Sequence, residues 1–190
     1  MSETWTIRKV VRWSETDFAA RGIASARLDS ELLVAHALGL DRVKLYMDLD
    51  RPLLPAELAA IRELVHRRRK REPVAYILGR REFWGRSFDV SPAVLVPRPE
   101  TEALIERALA ILPAEREARV LDLCTGSGCI GITLLCERPL LRATLTDSFM
   151  TSPREPVRVR PPFPRILVAS MKRMSPPVAV QASPVATPGT

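Results

Sequence analysis

Apolar residues recur at helical spacing through the first 71 residues and then change period. Ile7, Val10, Val11, Ser14 and Phe18 share one helical face, which predicts a helix between Thr4 and Gly22 that stops at the glycine. A second helix is expected from about Asp29 to Leu38, with Leu32, Leu33, Ala35 and Ala37 apolar and Gly39 just past its end. Pro55 suits a first helical turn, and Ala56 to Arg71 reads as a third helix with a stripe of Leu58, Ile61, Leu64 and Val65. Trp5 and Trp13 fall within the first helical pattern and are expected to pack.

After Arg71 the pattern shortens. Glu72–Gly79 is punctuated by Pro73 and Gly79, and Arg81–Val90 carries aromatic and β-branched residues around Gly85 and is followed by Ser91–Pro92 and Val94–Val96, which reads as a β-hairpin with its turn near Ser91–Ala93. Pro97 to Glu102 opens another helix, whose apolar face is Leu104, Ile105, Ala108, Leu109 and Leu112 and whose end is Pro113. Glu100 and Glu102 suit the positive end of its dipole. Val120–Leu123 is then a short buried strand, Cys124–Gly128 a loop with two glycines, and Cys129 onward a helix. Arg142–Asp147 forms a second strand that ends in an acid. Strand, glycine loop, helix and strand make a βαβ unit. Loop amides and a helix start face a ligand there, and Asp147 lies about 20 residues past the glycines, where such units present a carboxylate to ribose hydroxyls.

Composition narrows the alternatives. The chain of 190 residues is 46% hydrophobic and only 5% aromatic, so an aliphatic core in one or two small domains is expected. No run of 18 apolar residues is present, so no membrane span is expected, and the N-terminus lacks an apolar signal segment. Cys124, Cys129 and Cys136 cluster without metal-type spacing and read as reduced residues of a cytoplasmic protein. The net charge of +7 suggests nucleic acid, yet six of the 29 basic residues and only one of the 22 acids lie after Asp147. Much of the excess therefore belongs to the tail. The run Arg67–Arg71 reads as solvated cations on a helix dipole, with an RNA backbone or an acidic partner as the alternative. Nine of the 17 prolines lie in residues 148–190, where only Arg165–Ala169 resembles an apolar element, so this tail is expected to be disordered.

Five stretches occur together in order: ARLDSELLVAHALG at 26–39, EPVAY at 72–76, EFW at 82–84, VPRPETE at 96–102 and VLDLCTGSG at 120–128. This set resembles the bacterial release-factor glutamine N5-methyltransferases, over residues 20–147. The resemblance implies an α + α/β architecture. Its parts would be a helical N-terminal substrate-docking domain (1–75), a β-hairpin linker (76–97), an incomplete Rossmann-like methyltransferase domain (98–147) and the Pro/Arg-rich tail (148–190). It also implies S-adenosyl-L-methionine as cofactor. Cys124, Thr125, Gly126, Ser127 and Gly128 would lie against its methionine part, Asp147 would accept its ribose hydroxyls, and Asp122 would orient the loop. Cys124 stands where a glycine is common in the family. The partner implied is a peptide chain release factor, the protein monomeric, and nucleic acid is met only indirectly through the ribosome.

One departure matters. The family's Asn-Pro-Pro-Tyr motif holds the target glutamine amide, and this sequence contains no asparagine at all. Pro161–Phe163 and Pro176–Val178 offer no substitute. The expectation is a chain truncated after the second strand of the methyltransferase domain and inactive, with no catalytic residue to assign. A non-catalytic release-factor-binding fragment is the alternative, and a basic nucleic-acid-binding protein a weaker one. A frame change after codon 147 would account for the abrupt end of the resemblance, and an Asn-Pro-Pro-Tyr coding stretch downstream in another frame would reveal it.

Overall fold

Thr6 opens the first helix: its hydroxyl accepts the Lys9 amide at 3.4 Å, and α1 runs Ile7–Ala20. The buried face is Ile7, Val10, Val11, Ser14 and Phe18, the stripe expected from spacing. The computed structural model describes residues 4–147, 166–170 and 178–179. Contacts divide the chain into a unit of residues 1–79 and a unit beginning at Arg80.

The first unit is helical throughout. α2 (Ala26–Ala37) packs along α1, α3 spans Arg42–Met47, α4 Pro55–Arg69 and α5 Val74–Leu78. Phe18, Leu33, Val34, Leu45 and Ile61 meet in one core and are all nearly inaccessible. Each such side chain contributes about 1.5–3 kcal/mol by leaving water. The α4 stripe divides as its spacing suggests, with Ile61 and Val65 buried and Leu58 and Leu64 packed partly buried beside them. Helix α3 was not anticipated. Asp41 caps it by accepting the Lys44 amide at 2.8 Å, a local bond that allows a six-residue helix.

The arginine run corrects an expectation. Arg67 donates to Glu72, Arg68 to Asp29 at 2.8 Å, Arg69 to Asp17, and Arg71 to the Arg21 and Gly22 carbonyls. Arg69 also lies 5.1 Å from the Trp13 ring centre. These cations tie the end of α4 to α1, to α2 and to the turn between them. Arg67, Arg68 and Arg69 are each paired with an acid of the same unit and Arg71 is held by carbonyls, so most of the run is structural, while Lys70 stays exposed.

The hairpin also differs from its expected limits. Residues 74–78 are helical, with the Ile77 amide donating to the Pro73 carbonyl at 3.1 Å. The strands are β1 (Arg80–Phe83) and β2 (Arg86–Asp89), paired antiparallel with Phe83 opposite Arg86. The turn is therefore at Trp84–Gly85 and not near Ser91–Ala93. Both turn residues have positive φ, 51° and 66°, as a two-residue loop matched to strand twist requires. Trp84 misled the reading because a bulky aromatic rarely takes that conformation. Its amide donates to Glu102 at 3.0 Å, and its indole donates to Glu137 at 3.1 Å, which holds it there.

Beyond the hairpin, a 3-10 turn at Pro99–Thr101 leads into α6 (Glu102–Ile111). Of its expected apolar face Ile105 is fully buried, whereas Leu104 is exposed. β3 (Ala118–Leu123), α7 (Cys129–Glu137) and β4 (Leu141–Asp147) form the βαβ unit, with β3 and β4 parallel and Asp122 opposite Leu145. Among the described residues the sheet has four strands and not two. β5 (Ile166–Ser170) runs parallel to β4, and β6 (Val178–Ala179) antiparallel to β5, giving the order β3-β4-β5-β6. Ile166–Ala169 of the apolar run noticed in the tail thus lie in a strand. The rest of the expected disordered tail lies outside the described residues. No helix among the described residues is long and apolar enough to cross a membrane.

Candidate functional site

The carboxyl ends of β3 and β4 lie side by side, and the loop from Cys124 to Gly128 rises between them. In parallel sheets this edge is where ligands bind. Two buried carboxylates shape it. Asp122 accepts the Thr125 hydroxyl at 2.7 Å and the Gly131 amide at 3.0 Å through the same oxygen. Asp147 accepts the Gly126 amide at 2.7 Å. The Thr125 amide donates to the Thr146 carbonyl at 3.0 Å, and the Gly128 amide to the Thr125 carbonyl at 2.9 Å. The loop is therefore fastened to both strands.

Each residue proposed from sequence has a definite place. Thr125, Ser127, Asp122 and Asp147 are buried; Cys124 is exposed. Cys124, Gly126 and Gly128 all have positive φ, at 57°, 56° and 77°. Cys124 thus takes the left-handed conformation that glycine would take, at a cost of about 1–2 kcal/mol. Gly128 serves as the N-cap of α7, whose first amides have no acceptors within the helix. The amides of Thr125, Gly126, Gly128 and Gly131 are all taken up inside the unit, which sets the loop and the helix start rigidly beside two acids that accept hydrogen bonds.

Two contributors went unnoticed in the sequence. A Cβ on Gly131 would sit 2.9 Å from Leu145 Cγ and 3.1 Å from Asp122 Oδ2, so the helix reaches the strand and the carboxylate only because that residue is glycine. A glycine inside an apolar helical pattern was the available signal. Leu95 also approaches, its amide nitrogen 4.0 Å from where a Gly126 Cβ would be. That is ordinary contact, so one side of Gly126 is roomy. Next to the loop, Cys129 is buried among apolar groups. Burial pushes its thiol pKa up, against a hydrogen bond with the Ser127 side chain, so it is no nucleophile at neutral pH. Among the described residues no group of His, Cys, Asp or Glu could hold a metal ion.

Comparison with known proteins follows this geometry. Residues 9–79 match the PrmC N-terminal domain. A release factor glutamine methyltransferase of Geobacter sulfurreducens is 53% identical over 137 residues, covering 72% of this chain and 48% of the relative. That of Leptospira interrogans is 45% identical over 143 residues, 75% of this chain and 50% of the relative. The Salmonella typhimurium protein of the same name is 43% identical over 123 residues, 65% and 44% respectively. The chain spans about half the length of the curated relatives it matches. Over the stretch it shares with them, the chain belongs to the release factor glutamine methyltransferase family.

Proposed function

We propose that residues 118–147 hold S-adenosyl-L-methionine for a methyl transfer, and that the helical unit docks a peptide chain release factor in the cytoplasm. The names of the relatives support a methyltransferase acting on a glutamine of a release factor; in this reading the acceptor is the side-chain amide nitrogen. The observation that carries the reading is the double fastening of the glycine loop by Asp122 and Asp147.

The residues suit the group. Gly126 leaves open space on one face of the loop, and Asp147 stands at the neighbouring strand end, where vicinal hydroxyls of a ribose would meet it. In this reading Cys124 to Gly128 lie along the methionine part, Asp147 accepts from the ribose, and Asp122 keeps the loop and α7 in register. The cofactor supplies an electrophilic methyl group. The chain's own task is to bind and orient, since a glutamine amide nitrogen is a poor nucleophile and gains from being held in line.

These 190 residues contain no asparagine to hold that amide, so by themselves they bind without turnover. Isothermal titration with S-adenosylmethionine, and a labelled-methyl assay with purified release factor, test both halves. Micromolar binding with no transfer is expected. Absence of binding would overturn the cofactor reading, and turnover matching a full-length relative would overturn the inactivity.

A further inference from the structure

Away from the glycine loop, the helical unit has an open, largely apolar pocket of about 400 Å³ beside α2 and α3, lined by Arg27, Leu28, Glu31, Arg42 and Tyr46 among others. Glu31 is buried and accepts from Arg27 at 3.0 Å, from Arg42 at 2.7 Å and from the Tyr46 hydroxyl. Tyr46 in turn accepts from Arg27 at 3.3 Å. One carboxylate thus faces two guanidinium groups, and the mouth keeps one net positive charge. Each guanidinium carries five N–H donors, more than Glu31 and Tyr46 take up. The Arg27 and Arg42 side chains are 70% and 50% exposed, so those donors are reachable from solvent. Leu28 and Tyr46, each 43% exposed, add an apolar wall.

We infer that this cavity takes a carboxylate side chain from a protein segment in which acidic and apolar residues alternate. The planar forks of Arg27 and Arg42 match a carboxylate, and Leu28 with the Tyr46 ring suits an apolar neighbour of that residue. A nucleic acid is disfavoured because it needs a run of unpaired cations along several phosphates. Here the flanking Arg8 is held by Asp50 at 2.8 Å, and Lys44 lies 3.9 Å from Asp41. The inference rests on the proposed docking role of the helical unit and places it on one surface.

The test uses the full chain, labelled with nitrogen-15, and a fluorescent peptide of alternating Leu and Glu beside its Leu and Gln counterpart. The Glu peptide should bind at least tenfold more tightly, shift the resonances of Arg27, Leu28, Arg42 and Tyr46, weaken with added salt, and be displaced by purified release factor. Leu28→Glu should lose that binding while its thermal melt stays unchanged; the same loss in Arg27→Gln guards against a variant that misfolds. Equal binding of the two peptides, or shifts confined to other residues, would overturn the inference. Release factor that binds without displacing the peptide overturns this location and leaves the docking reading standing. Release factor that does not bind at all ends the docking reading, while the peptide pair still decides the chemistry of the cavity.

Discussion

Asp147 and Gly126 are joined by a 2.7 Å hydrogen bond across 21 residues of sequence, so the end of one strand sets the shape of the loop after another. Asp147→Asn keeps the shape and removes the charge. Hydrogen bonds to charged groups contribute about 1.5–3 kcal/mol. The expected outcome is a ten- to hundredfold weaker dissociation constant for S-adenosylmethionine, read by titration calorimetry. An unchanged constant would remove Asp147 from the site.

Gly131 and Gly126 should respond to alanine for different reasons. At Gly131 the new Cβ meets Leu145 at 2.9 Å and must displace packed atoms, at a cost of about 1–3 kcal/mol. At Gly126 there is room, but φ is +56°, and the left-handed conformation costs an L-residue about 1–2 kcal/mol. Urea denaturation of the second unit should show both losses. Only Gly131→Ala should also perturb the resonances of Leu145.

Arg68 and Asp29 form an ion pair with side chains 15% and 7% exposed. Removing one partner leaves an unpaired charge in a nearly dry place, which typically costs about 3–5 kcal/mol. Arg68→Ala should therefore lower the melting temperature of the helical unit well below that of Arg12→Ala, a change on an exposed face.

Acid should loosen the helical unit in a defined direction. The Arg69 hydrogen bond holds the Asp17 carboxyl below its ordinary pKa, and the Arg67 hydrogen bond does the same for Glu72. A depressed folded-state pKa contributes stability that is present above the unfolded value, about 4 for these groups. That contribution is lost as pH falls through the lower folded value. Circular dichroism melts should be flat above about pH 5 and fall below about pH 4. Asp17→Asn should flatten that acid limb; an unchanged slope would rule out the pair as its source.

The three cysteines should differ in reactivity. Cys124 is exposed, whereas burial raises the thiol pKa of Cys129 and Cys136. Iodoacetamide at pH 8 should modify Cys124 first, as mass spectrometry of the digest would show. S-adenosylmethionine should slow that reaction if the loop holds it. Labelling of Cys129 ahead of Cys124 would contradict the packing at the start of α7.

Much of the site was legible without coordinates, because its signals are local. The buried strand, the glycines and the acid-ended second strand are each written within a few residues, and the helical stripes of α1 and α4 follow from spacing alone. Illegibility began where a residue acted against its type. Trp84 occupies a turn conformation that its side chain disfavours, and the hydrogen bonds it donates to Glu102 and Glu137 hold it in place. Helix α3 is too short for periodicity to register and depends on the Asp41 cap.

By itself the sequence determined the three longer helices of the first half, the βαβ unit and the family, since each depends on patterns that repeat or sit within one short stretch. Only the tertiary structure decided what the charges do. Arg68 finds Asp29 across 39 residues, and Arg69 finds Asp17 across 52. A run of cations looks the same on paper whether it faces water, RNA or acids from another helix. Packing of α4 against α2, which itself packs along α1, brings those acids within reach, and the Coulomb attraction of paired charges in a half-buried place settles the choice.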